Sequence, residues 1–279
     1  MTVFKSYSKI NLSLIVIKKL RDKLHEIQSL FCLINVNDKI EVIKIREKRD
    51  KILFKGPFAK DVSSSNNSIN SLLKLLRKMK LISNFYSVVV TKNIPVFGGL
   101  GGGTSNAIYL LKFLLKGEIN NSILSEVEKK IGSDTRLFFF KRGFLQNLKK
   151  IIRINKKYDL YFLLVHPNIK CSTSKIYSKI KKYSKKTNFN YDKIRTKSRF
   201  IDYTSNNRND LQFIVEKKYP IIRKLLKDIS FERGCYFSRM SGSGSVCYGL
   251  FNSSKTAKKA LNKLKAKYPK FWLSVAKTV

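Results

Sequence analysis

The chain has 279 residues with 43% hydrophobic content, enough for one large domain or two modest ones around a real core. No run reaches the roughly 18 apolar residues of a membrane span. The start, "MTVFKSYSKINLSL", passes directly into a strand-like pattern without a signal-peptide profile, so a cytoplasmic protein is expected.

The formal net charge of +40 suits a polyanion. Yet the lysines run from end to end, in "VIKKLRDKLHE", "LLKLLRKMK", "KIKKYSKK" and "ALNKLKAKYPK", where a nucleic-acid binder gathers them on one face or tail. Isoleucine and asparagine, which share A/T-rich codons with lysine, are abundant too, so biased base composition could supply much of the excess, with a selected polyanion site as the alternative. No specific nucleic-acid partner is expected, although a phosphorylated substrate would be drawn by the field. Cys32, Cys171, Cys235 and Cys247 form no CxxC pair, and His25 and His166 are the two histidines. Free thiols rather than a zinc cluster are therefore expected.

In chain order, residues 3–17 alternate, with Lys9, Asn11 and Ser13 on one face and Ile10, Leu12 and Leu14 on the other. This pattern predicts a half-buried strand with an open polar face. "KIEVIKI" (39–45) and "YSVVVTK" (86–92) read as strands. Between them, Ile69, Leu72, Leu73, Leu76 and Met79 recur at helical spacing. A glycine loop follows, then "AIYLLKFLLK" as a buried helix, and "DLYFLLVHP" (159–167) as a strand closed by proline. Residues 179–208 are polar and basic and read as a mobile excursion. "DLQFIVEKKYPIIRKLLKDI" supplies helix, "SVCYGLF" (245–251) a strand, and "SSKTAKKALNKLKAKY" a capped basic helix. The irregular mixture predicts an α+β fold rather than a doubly wound parallel sheet.

The glycine loop, "IPVFGGLGGGTSNAI" (94–108), fits neither common phosphate motif. A Walker loop from Gly98 needs lysine where Thr104 stands, and GxGxxG from Gly99 needs glycine there. The physical logic survives, because residues without Cβ let backbone N–H groups approach an anion and a following helix adds its positive end. Gly98, Gly99, Gly101, Gly102 and Gly103 exceed what a plain turn needs. Thr104 and Ser105 follow, where hydroxyls would cap the helix or reach a phosphate or metal.

"PVFGGLGGGTSNA" resembles the phosphate loop of the GHMP small-molecule kinases, named for galactokinase, homoserine, mevalonate and phosphomevalonate kinases. Further matches follow in order along nearly the whole chain: "SKINLSL" (8–14), "LHEIQSLF" (24–31), "IGSDTRLFF" (131–139), "VHPNIKCSTSKIY" (165–177), "ND" (209–210) and "RMSGSGS" (239–245). The resemblance implies two α+β domains, placed at 1–154 and 155–279, with the active site in the cleft between them. It implies ATP with Mg2+, whose protein ligands the sequence leaves unassigned. The branch it is most similar to takes a cytidine-diphosphate-linked methylerythritol and phosphorylates its 2-hydroxyl.

By that resemblance Asp134, in "GSDT", is the base, and its alternative reading is a helix N-cap. Lys9 is its partner, an ammonium that would favour the ionised carboxylate and help neutralise the phosphoryl group. Pro95, Gly98, Gly99, Leu100, Gly101, Gly102, Gly103, Thr104 and Ser105 are assigned to ATP. Asn11, His25, Thr173, Tyr177, Gly242 and Gly244 are assigned to the substrate, with His25 reading a pyrimidine edge and Tyr177 stacking on it. Leu24 stands where related kinases carry tyrosine, and Phe97 where they carry a small residue. The weighed alternatives are another GHMP kinase such as homoserine kinase, a decayed kinase that keeps the fold, and an RNA-binding protein of related fold. Oligomeric state is left open between monomer and homodimer.

Overall fold

The structure, a computed structural model, describes residues 1–21 and 24–279. Along the chain run β1 (Thr2–Asn11), β2 (Ile15–Lys19), β3 (His25–Ile45), β4 (Lys51–Lys55), α1 (Ser68–Lys78), β5 (Phe85–Thr91), α2 (Gly102–Leu114) and α3 (Asn121–Ile131). They continue with β6 (Arg142–Leu145), β7 (Ile151–Arg153), β8 (Tyr161–His166), α4 (Thr173–Tyr177), α5 (Lys197–Ser205), α6 (Gln212–Lys218), α7 (Pro220–Ser230), β9 (Cys235–Met240), β10 (Cys247–Phe251), α8 (Ser254–Lys267) and β11 (Trp272–Lys277). The fold is α+β, as its sequence predicts. No described helix is long and apolar enough to cross a membrane.

The chain falls into two units, each assembled from three segments. The first holds Met1–Lys9, Val36–Val96 and Gly101–Phe139. Its sheet pairs the second half of β3 antiparallel to β5, with Lys39 opposite Thr91 and Ile45 opposite Phe85, and β4 joins β5 in parallel. In α1 the Asn67 side chain accepts from the Asn70 N–H at 2.9 Å, a side-chain cap that starts the helix where its apolar repeat begins. Ile69, Leu72, Leu73 and Leu76 then bury one stripe. α2 is different, apolar nearly all round with Ala107, Ile108, Leu110 and Leu111 buried.

The second unit holds Ile10–Asn35, Phe97–Leu100 and Phe140–Val279. The first half of β3 pairs antiparallel with β2, where Lys19 lies opposite His25, and with β6, where Ser29 lies opposite Leu145. A separate four-stranded antiparallel sheet has the order β11-β8-β10-β9. Its strand β8 buries every residue from Phe162 to His166, as a central strand covered on both faces must. Pro220 opens α7, so the long helical stretch after Asp210 is two helices rather than one.

Two expectations need correction. The strand through Lys9 has no open polar face: Lys9, Asn11 and Ser13 are all buried. Asn11 gives its amide N–H to Ser29 Oγ at 2.8 Å, and the Leu30 N–H donates to Ser13 Oγ at 3.1 Å, so buried partners replace solvent. Residues 179–208 are also not a plain excursion. They contain α5, bury Ile194, Phe200, Ile201 and Thr204, and receive the Tyr158 hydroxyl on the Ile194 carbonyl.

Candidate active site

In the first unit the chemistry gathers around the start of α2. Gly101 is the N-cap, at φ +70°, and no side chain caps the helix. The first intrahelical bond, Ser105 N–H to the Gly101 carbonyl at 2.8 Å, leaves the N–H groups of residues 102–104 without intrahelical partners. Such a helix start offers backbone donors and a positive dipole end to which an anion can bind.

Lys9 lies beside that start. A Cβ on Gly101 would stand 3.3 Å from Lys9 Cε and 2.9 Å from Phe138, so the absent side chain is what lets the lysine stem pass. The Lys9 ammonium meets Asp134 Oδ2 at 3.2 Å, with side-chain exposures of 4% and 31%. The cation is thus held in the protein while the carboxylate stays accessible. Asp134 precedes a short 3₁₀ turn, Thr135–Phe139, and its carbonyl accepts from the Leu137 N–H at 3.1 Å. The Phe138 carbonyl is in turn fixed by the Lys112 ammonium of α2 at 2.6 Å. Lys112 therefore ties the helix of the glycine loop to the turn that carries Asp134.

Ser105 is not available to a ligand. Its hydroxyl donates to the Tyr7 carbonyl at 2.6 Å and shares a 2.7 Å hydrogen bond with Ser6 Oγ, binding α2 to β1 two residues before Lys9. The hydroxyl of Thr104, half-buried in the first turn, is not so enclosed. Behind both, Asp38 gathers Lys92, the Asn106 amide and the N–H groups of Asn93 and Ile94. No sequence motif pointed to this buried cluster. The signal available was an aspartate and a lysine at opposite ends of two predicted strands.

In the second unit the two glycine motifs pack on each other. The Val246 N–H donates to the Gly98 carbonyl at 3.1 Å, and Ser241 Oγ donates to the Gly99 carbonyl at 3.1 Å. Gly99 has φ +77°, and a Cβ there would fall 2.2 Å from the Ser241 carbonyl oxygen, so glycine is obligatory. Gly242 and Gly244 are also left-handed, at φ +54° and +84°. Phe97 occupies the same region at φ +58° and is half exposed, a strained setting for a bulky residue. Asn209 places the second motif by donating to the Met240 and Gly242 carbonyls, both at 2.8 Å. Pro95 is buried just before Val96 ends a segment of the first unit, and Leu100 is buried at the close of the loop's short stretch in the second.

The same unit brings His25 and Tyr177 together, with ring centroids 5.1 Å apart. Thr173, one turn earlier on α4, shares a 2.9 Å hydroxyl hydrogen bond with Ser243, a residue the motif reading passed over. Asn11 joins this group through its backbone N–H to Ser241 Oγ at 3.3 Å. Burial first, and the charge of Lys19 second, hold the His25 imidazole below the usual histidine range. It is neutral at pH 7, with one donor and one acceptor nitrogen.

A backbone anion site beside a lysine–carboxylate pair, on an α+β fold with paired glycine turns, defines a small-molecule kinase of the GHMP class. The pattern described as "GHMP kinases C terminal" matches residues 198–270. The chain is 36% identical over 280 residues to the 4-diphosphocytidyl-2-C-methyl-D-erythritol kinase of Pelagibacter ubique (strain HTCC1062), covering 99% of this chain and 98% of that one. A crystal structure of 4-(cytidine 5'-diphospho)-2C-methyl-D-erythritol kinase superposes with a TM-score of 0.78 at 19% identity, covering 99% of both chains. The homoserine kinase of Cytophaga hutchinsonii ATCC 33406 shares the fold at a TM-score of 0.66 and 14% identity, over 100% of this chain and 95% of that one. The chain belongs to the 4-diphosphocytidyl-2-C-methyl-D-erythritol kinase family and is an ATP-dependent kinase.

Proposed function

We propose that the enzyme transfers the γ-phosphoryl group of ATP to the 2-hydroxyl of 4-diphosphocytidyl-2-C-methyl-D-erythritol, giving the 2-phosphate and ADP. The observation that carries the choice of substrate is the neutral His25 beside Tyr177, a donor–acceptor edge next to an aromatic face, which suits a pyrimidine. A kinase for a small amino-acid alcohol would have no use for it.

The substrate oxygen attacks the γ-phosphorus, the bond to the β,γ-bridging oxygen breaks, and the hydroxyl proton passes to the Asp134 carboxylate. Lys9 holds Asp134 in place and adds positive charge where the transferring group gains negative charge. The N–H groups at the start of α2 receive phosphate oxygens, with Gly98–Gly103 and Thr104 forming the ATP loop. Thr173, Gly242, Gly244 and Asn11 complete the substrate side. Magnesium, when bound, neutralises charge on the phosphates. A cytoplasmic location, and a monomer or homodimer, remain part of this proposal.

ADP release measured with and without the cytidine-diphosphate substrate tests the reading. Substrate-dependent ADP release supports it; ADP release with homoserine instead would replace it. A second result concerns pH. The neutral imidazole is the binding form, so protonation of free His25 competes with the substrate. Affinity is expected to be flat from about pH 8 to about pH 6.5, falling only below that, because the His25 pKa is depressed. Titration calorimetry with the substrate itself checks this, since its doubly esterified diphosphate has no secondary ionisation in that range. A decline that begins well above pH 6.5 would contradict a neutral His25.

A further inference from the structure

A second tyrosine meets the His25 ring. Tyr183 lies with its ring centroid 6.4 Å from the imidazole, tilted by 33°, within the range of aromatic contact. Its side chain is 46% exposed, a large aromatic surface left open to water beside a half-buried histidine. The segment that carries it is pinned immediately after the ring's attachment. The Ser184 N–H donates to the Val16 carbonyl at 2.8 Å, and Ser184 Oγ donates to Asp210 Oδ2 at 2.6 Å, the same oxygen that accepts the Val16 N–H at 2.8 Å. Further on, Lys186 meets Glu26 at 2.6 Å, and Thr187 donates from its backbone N–H to Gln28 Oε1 at 2.9 Å.

Glu26 and Gln28 lie on β3 immediately after His25, so the strand that presents the imidazole also fixes the segment that presents Tyr183. An exposed tyrosine whose chain is held directly after it has already lost part of the backbone freedom that stacking on a ligand would cost, which is preorganisation. Lysines surround the spot: Lys18 and Lys186 on Glu26, and Lys19 opposite His25. They set a positive rim suited to a diphosphate. Leu24, the residue before His25, is aliphatic and exposed, so it offers no stacking face of its own.

We propose that Tyr183 is a specificity residue of this kinase: it supplies a stacking surface for the cytosine ring that His25 reads, in addition to Tyr177, and Asp210 positions it through Ser184. The proposal rests on the cytidine reading above. It also gives Asp210 a purpose, since one carboxylate oxygen joins β2 to the segment that bears the aromatic ring.

The test is calorimetric binding of cytidine 5'-diphosphate, together with steady-state kinetics, for wild type, Tyr183→Ala, Tyr183→Phe and Tyr177→Ala. Tyr183→Ala is expected to weaken cytidine 5'-diphosphate binding and raise KM for the cytidine substrate by roughly tenfold, the usual scale for losing one base–aromatic stack. Its kcat and its KM for ATP should stay within about twofold of wild type, and Tyr183→Phe should bind as wild type does. That split separates stacking from a general loosening, which would move kcat and both KM values together. A Tyr183→Ala variant that binds as tightly as wild type, while Tyr177→Ala binds weakly, overturns the role of Tyr183 and leaves the cytidine reading standing. Wild type that does not bind cytidine 5'-diphosphate at all overturns both.

Discussion

Replacing Asp134 by asparagine is expected to lower kcat by about 10²–10⁴-fold, the range for a positioned proton acceptor. The amide is nearly isosteric and keeps an oxygen that can accept from Lys9, now 3.2 Å from Oδ2, so geometry should survive. What the amide cannot do is take the hydroxyl proton or carry negative charge. The Asp134 side chain is partly exposed, and the contact that shapes the turn uses its backbone carbonyl, which the substitution retains. Stability should therefore change little, and KM for ATP should stay within a few-fold. Single-turnover ADP formation at saturating substrate measures the effect on chemistry alone. A loss smaller than about tenfold would mean that Asp134 only orients the hydroxyl and that the proton leaves by another route.

The partnership of Lys9 and Asp134 was legible in the sequence through motif resemblance, and not through periodicity. Alternation along residues 3–17 reads as one strand, whereas the structure breaks it after Asn11 and resumes it as β2 at Ile15, and polar residues at every second position ordinarily mean a water-facing side. Here Ser6, Ser8, Lys9 and Asn11 lie on buried surfaces, because each hydroxyl or amide finds a protein partner: Ser6 on Ser105, Ser8 on the Val36 carbonyl, Asn11 on Ser29. Residue type alone does not reveal such pairing between positions up to 99 residues apart. Composition likewise misjudged residues 179–208, since a few apolar anchors such as Ile194 and Phe200 suffice to bury one side of a lysine-rich stretch.

Arg239 shows the same limit. Near the end of β9 it looks like a solvent-facing cation, yet it is buried and gives its guanidinium to the carbonyls of Leu12, Thr204, Ser205 and Asn207. The "ND" motif was visible as a pattern whose role was not. Asn209 sets the second glycine turn, and Asp210 fixes β2. Both are contacts made across the fold, which spacing along the chain does not encode.

The largest effect on stability is expected from Asp38→Ala, at about 3–5 kcal/mol, the cost of leaving a buried charge without its counter-ion. Asp38 and Lys92 are both buried; desolvation works against the Lys92 ammonium, and Asp38 offsets it. Removing the carboxylate also strips acceptors from the Asn93 N–H at 2.7 Å, the Ile94 N–H at 2.9 Å and the Asn106 amide at 2.9 Å. Residues 93 and 94 lead into the glycine loop, and Lys92 Nζ lies 3.3 Å from where a Cβ on Gly102 would be, so the variant should also bind ATP less tightly. The double variant Asp38→Asn, Lys92→Met separates charge from shape. Its amide oxygen still accepts from residues 93 and 94, no buried charge remains, and the Asn106 amide can rotate to accept from the new side chain. It should therefore recover much of the loss in urea unfolding at unchanged m-value. If Asp38→Ala costs less than about 1 kcal/mol, or the double variant is no more stable than the single one, the buried ion pair is not what holds the base of the glycine loop.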